Sequence, residues 1–123
     1  MNAEASAVVI GLAKEFIELI RSLDSSWPKG YYRFRSEGVR YGSNASYAGA
    51  PGVTLVGAVK HGLFYESMNE KGAKLLRILG KEKGVFLLSV DNKFDYDIKF
   101  EWSDLQRWEI TKMNGRSGIP EGA

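Results

Sequence analysis

The chain has 123 residues, 44% of them hydrophobic, with no cysteine and a formal net charge of +2. That length suits one domain, with a core large enough to stand without disulfides or metals. The lack of cysteine excludes a disulfide framework, cysteine–zinc sites and thiol chemistry, and so small a charge gives no bulk argument for a nucleic-acid partner.

Val9, Leu12, Phe16, Leu19, Ile20 and Leu23 recur at spacings of three and four, which predicts an amphipathic helix. SLDSSWPKG should end it, because polar residues and Pro28 do not continue a helix and Trp27 before the proline favours extended backbone. In YYRFR, Tyr32 and Phe34 alternate with Tyr31, Arg33 and Arg35, so the two sets fall on opposite faces of a strand. Gly38 can turn the chain into a second strand through Val39, Tyr41 and Tyr47. AGAPG breaks that strand, and VTLVGAV reads as a third, which KHGLFYE either extends or leaves.

SMNEKGAKLLRILGKEKG predicts a second helix, opened by a Ser67–Glu70 capping box, buried through Met68, Leu75, Leu76 and Leu79, and closed at Gly84. VFLLSV and the stretch from Phe94 to Trp102 should form a hairpin around DNK. In the second strand, Phe94, Tyr96, Ile98, Phe100 and Trp102 alternate with Asp95, Asp97, Lys99 and Glu101, which assigns the aromatic side to the core and the acidic side to solvent. Ser103 and Gln106 repeat the capping pattern, so SDLQRWEITKM is expected to be a short C-terminal helix, with Asp104 favoured by its dipole. Residues 114–123 are glycine-rich and expected to be a loose tail unless Ile119 and Pro120 dock. The expected fold is a single α+β domain over residues 1–123. Its mostly antiparallel sheet of about five strands is covered by the N-terminal and central helices.

The chemistry on offer is sparse. His61 is the only histidine; KHGLFYE could gather His61, Tyr65 and Glu66 for acid–base work, or simply set a loop histidine beside a core Phe64. No phosphate loop, dinucleotide fingerprint, nucleophile elbow or EF-hand spacing occurs. Tyr31, Arg33 and Arg35 could stack bases and hold phosphates on an open sheet face, or form the solvated side of an ordinary strand. The N-terminus has no basic leader and no apolar run is long enough for a membrane span, so a cytoplasmic protein with no membrane partner is expected.

Charge is unevenly placed. Lys29 to Arg40 holds four bases against Glu37 alone, whereas Asp91 to Glu109 holds six acids against three bases. If the two stretches are neighbours they pair across strands at small gain; if apart, the acidic face is free for a basic partner.

The order of elements, with SSWPKGYYRFR closing the first helix and VFLLSVDNKFDYDIKFEWSDL after the second, resembles the YezG-like immunity proteins of bacterial polymorphic-toxin systems. The likeness runs from about Leu12 to Trp108. It implies a protein that neutralises a cognate toxin, commonly a nuclease, by binding it. Such a protein needs no catalytic residue, cofactor or metal, and nucleic acid is not its partner. The residues expected to meet the toxin are Asp95, Asp97, Glu101 and Asp104, with Trp108 or Tyr96 as an aromatic anchor, Tyr96 being favoured for the core by its register with Phe94 and Phe100. A small nucleic-acid-binding module using Tyr31, Arg33 and Arg35 is the alternative.

Overall fold

The computed structural model describes all residues, 1–123. Helix α1 spans Ala3–Leu23, and Asn2 caps it by accepting the Ala5 N–H at 2.8 Å. Strands β1 (Lys29–Glu37), β2 (Tyr41–Gly49) and β3 (Gly52–Leu55) follow, then helix α2 (Gly62–Ile78), then β4 (Lys83–Asp91) and β5 (Tyr96–Glu101). The sheet runs β3-β2-β1-β4-β5, and every pairing is antiparallel. β1 lies in the middle, so the chain reaches β4 by crossing the sheet through α2.

Both helices pack on one face. Phe16, Ile20, Phe64, Met68, Leu75 and Leu76 meet Tyr32, Phe34, Phe86 and Leu88, with Phe34 and Phe86 stacked at 5.3 Å between ring centroids. Gly72 is what lets α2 come this close: a Cβ there would sit 2.6 Å from the Phe34 ring. A glycine that weakens the helix locally is thereby kept for packing.

The other face is covered as well. Residues 102–123 run back across the sheet as a strap without regular structure beyond one 3-10 turn at Met113–Gly115. Leu105, Trp108 and Ile110 of the strap form a second, smaller core over Tyr31, Val85 and Leu87. This explains the unbroken apolar run in β4, where Val85, Phe86, Leu87 and Leu88 are all fully buried: each face of that strand has its own cover.

Four expectations are corrected. The central helix begins at Gly62 rather than Ser67, and Ser67 instead donates to Glu15 Oε1 on α1 at 2.8 Å. That helix closes at Gly80, in positive φ, where the Gly80 and Lys81 N–H groups bond the Arg77 and Leu76 carbonyls in a Schellman end. The C-terminal helix over SDLQRWEITKM is absent: a single turn joins Arg107 N–H to the Asp104 carbonyl, and Trp108 then takes φ 60°. Last, the aromatic side of β5 is only half in the core. Ile98 and Phe100 pack against it, whereas Phe94 and Tyr96 are 57% and 45% exposed. β5 is an edge strand that the helices do not reach across. The tail meets its stated condition through Pro120, which is buried together with Gly118.

Candidate functional site

The expected partner-binding residues separate into two groups. Glu101 and Asp104 serve the chain itself. Glu101 Oε1 receives Arg107 Nη1 at 2.8 Å, and its Oε2 accepts the Ser103 and Asp104 N–H groups at 3.0 and 3.2 Å. The Arg107 guanidinium first, and then these two N–H groups, hold the Glu101 carboxyl down at about 2. Asp104 Oδ1 accepts the Gln106 N–H at 3.0 Å. Both carboxylates therefore shape the turn by which the strap leaves β5. Trp108 is 3% exposed, so it anchors the strap and presents no surface to a partner.

Asp95 and Asp97 are exposed, and neither side chain enters an ion pair. They sit where the β4–β5 hairpin turns. Asp91 organises that turn: its Oδ1 accepts the Lys93 and Asp95 N–H groups at 2.9 and 3.1 Å, and its backbone carbonyl accepts the Phe94 N–H at 3.0 Å. The loop is therefore Asn92, Lys93 and Phe94, shifted one residue from a DNK turn, and Phe94 fills the left-handed position of this three-residue hairpin loop at φ 68°. Glycine is the usual occupant there, because a side chain in that conformation costs about 1–2 kcal/mol. Phe94 holds the place with its ring in solvent, touched on one side by the Arg21 guanidinium at 5.2 Å. Tyr96 follows on the same hairpin, and a small cleft of ≈ 140 Å³ runs beside it between Lys29, Ser89, Asp91, Asp95 and Asp97.

The site is therefore a hairpin tip with two exposed aromatics and two unpaired carboxylates. Sequence reasoning identifies the acids and admits Tyr96 as an anchor, but alternation favours the core for Tyr96 and assigns Phe94 to it, and the structure exposes both. The signal that could have found Phe94 is the register of the turn: with Asp91 still on the ladder, three residues, NKF, separate it from Asp95 and put Phe94 in the loop.

Of the basic stretch only Lys29 lies beside this tip, without forming an ion pair; its arginines lie elsewhere. Arg33 donates Nε to the Arg107 carbonyl at 2.8 Å and Nη2 to the Leu105 carbonyl at 2.7 Å, while Arg35 pairs with Glu37 at 2.6 Å. With Tyr31 and Arg33 each only 8% exposed under the strap, the open stacking platform expected of a nucleic-acid module is closed. The grouping around His61 is also not assembled. Tyr65 turns inward, donating its hydroxyl to the Val56 carbonyl at 2.7 Å, and burial pushes its pKa up to about 12. His61 sits at the start of α2 with no side-chain capping bond. No group of three or more ligating side chains is gathered for a metal ion, and no helix is long and apolar enough to cross a membrane.

No protein-family model matches the chain, and no curated protein matches it.

Proposed function

We propose that this chain is a non-catalytic immunity-type protein of the bacterial cytoplasm that binds and neutralises a cognate toxin, a nuclease, through the β4–β5 hairpin. The observation that carries the reading is Phe94, an exposed aromatic kept at a left-handed backbone position beside two unpaired carboxylates. The strain at this exposed bulky residue is offset in the fold only by a surface contact with Arg21, and such strain collects at binding sites. An aromatic centre flanked by charges is also the composition of a protein-docking hot spot. Nuclease active sites are basic, so Asp95 and Asp97 complement the surface such an inhibitor must cover and speed the encounter.

The resemblance to YezG-like immunity proteins supports the same reading. The test is co-expression with the protein encoded immediately upstream. Rescue of growth from that protein's toxicity, together with co-purification of the pair, is the expected result. A non-toxic neighbour, or toxicity that this chain leaves untouched, sinks the proposal.

A further inference from the structure

The β1–β2 turn lies at the opposite end of β1 from the hairpin tip, about 25 Å away at the usual rise per strand residue. Between that turn and the strap is an open cleft of ≈ 430 Å³, lined by Arg33, Arg35, Glu37, Arg40, Gly42 and Asn44 among others. Three guanidinium groups face it against one carboxylate.

Two of these arginines converge. Arg33 and Arg35 share a strand face, and both donate to the same atom, the Leu105 carbonyl oxygen, from Arg33 Nη2 at 2.7 Å and Arg35 Nε at 3.0 Å. A neutral oxygen thus separates the two cations; Glu37 pairs with Arg35, and Glu109 and Asp104 act on Arg33 from the strap, but within the cleft lining three guanidinium groups still stand against Glu37 alone. Arg33 is nine-tenths buried, and both desolvation and the charge of Arg35 pull its pKa down. Its Nε and Nη2 are spent on the strap, but Nη1 takes no protein acceptor and is not sealed from solvent. Across the β1–β2 ladder, Arg35 faces Gly42, where a Cβ would meet nothing within 4 Å, so the floor opposite it is open backbone.

We propose that this cleft is a binding site for the phosphate group of a small phosphorylated molecule. A phosphate dianion matches the local excess of positive charge, and its tetrahedral oxygens accept from donors arriving in several directions, which suits Arg33 Nη1, Arg35 and Arg40 together. A lone carboxylate is planar and carries half that charge; Glu37 already fills the carboxylate role on Arg35 Nη2. The cleft is lined by β1, β2 and their turn alone, and the strap covers the sheet face beyond it over Tyr31, Val85 and Leu87, so the open patch is short and favours a small ligand over a continuous nucleic-acid strand. The site stands independently of the hairpin, since it shares no residue with it.

The test uses the full chain with inorganic phosphate, pyrophosphate, acetate and a short single-stranded oligonucleotide as probes, followed by amide and arginine Nε NMR shifts. Saturable shifts at Gly42, Ser43, Arg33 and Arg35 are expected with pyrophosphate and phosphate, and weak ones with acetate. Arg40 is exposed on the turn and contributes only its backbone carbonyl to the fold, accepting from Glu37 N–H at 2.8 Å. Arg40→Glu should therefore leave the spectrum intact and weaken pyrophosphate roughly tenfold or more, while Glu37→Gln strengthens it severalfold. No saturable shift at those four residues, acetate binding as tightly as phosphate, or indifference to Arg40→Glu would each overturn the site. An oligonucleotide binding more tightly than pyrophosphate would overturn the small-ligand assignment.

Discussion

Replacing Phe94 with glycine separates folding from binding. The left-handed backbone at φ 68° favours glycine, so the substitution recovers about 1–2 kcal/mol of conformational strain. Against that stands the loss of the exposed contact with Arg21, worth about 0.5–1 kcal/mol. The extra freedom of glycine in the unfolded chain costs a further 0.5–1 kcal/mol or so. The terms nearly cancel, so Phe94→Gly should unfold in urea within about 1 kcal/mol of the parent, followed by tryptophan fluorescence. A buried phenylalanine would behave quite differently, losing about 3–5 kcal/mol on truncation. Binding should move the other way: the complex with the co-purifying toxin should weaken by about 2 kcal/mol, or roughly thirtyfold, in calorimetry. A stability loss of core size refutes the exposed-aromatic reasoning, and unchanged affinity at unchanged stability refutes the hairpin as the docking site.

Asp95→Asn with Asp97→Asn should leave stability unchanged but slow association with a basic partner and flatten its salt dependence; a stopped-flow on-rate equal to the parent's at low salt speaks against electrostatic guidance. Arg33→Met should cost about 1–3 kcal/mol, because the Arg107 carbonyl loses its donor while the Leu105 carbonyl keeps Arg35; equal denaturation midpoints would mean that apolar contacts alone hold the strap. The folded-state pKa of Glu101 lies at about 2, below the usual 4.5, so its contribution is present above about pH 4.5 and is lost as pH falls toward 2. Glu101→Gln should accordingly flatten the stability profile across that window in urea titrations, and parallel profiles would contradict the linkage. Tyr32→Phe removes a sealed hydroxyl that lies beside the Ser43 hydroxyl without a well-formed hydrogen bond to it, so stability should change by no more than about 1 kcal/mol; a larger loss in the same assay would show that the Ser43 contact is a full hydrogen bond.

What could be read in advance is what depends on local periodicity. The alternation of Tyr32 and Phe34 with Tyr31 and Arg33, the stripe of the first helix, and the pairing of the last two strands all follow from residues within one turn or one pleat of each other. The C-terminal helix failed because its decisive partners are remote. Ser103 and Gln106 offer a capping pattern, but Arg33 and Arg35, some 70 positions earlier, take the Leu105 carbonyl, and Arg33 also takes the Arg107 carbonyl. A helix would have turned those oxygens onto its own N–H groups. The second helix was placed late for a different reason. Ser67 matches a cap in sequence, yet Phe64 extends the Met68 stripe one turn upstream and the fold follows the stripe. Of the hairpin-tip residues, the exposed acids are legible because charge is visible directly, whereas the exposure of Phe94 and Tyr96 is not: alternation identifies a face but not whether anything covers it at a sheet edge.

The net charge of +2 also proves a poor guide to recognition. The four bases between Lys29 and Arg40 suggested a counterweight to the acidic stretch. Two of them are instead committed to the strap, which they hold by its carbonyls, and Arg35 is further paired with Glu37. The strap in turn closes the only broad face where aromatics and arginines could have bound a strand of nucleic acid. What remains accessible is polarised along β1: unpaired Asp95 and Asp97 beside Lys29 at one end, and Arg35 and Arg40 around Gly42 at the other. These ends lie further apart than a Debye length at physiological salt, so neither screens the other's ligand. The two proposed ligands, a basic protein and a phosphate, thus call on separate and oppositely charged surfaces of a chain that is nearly neutral as a whole. If both sites are occupied together, their affinities should be independent unless the strap, which the arginine end holds in place, shifts its exit turn at Glu101 beside the hairpin strand.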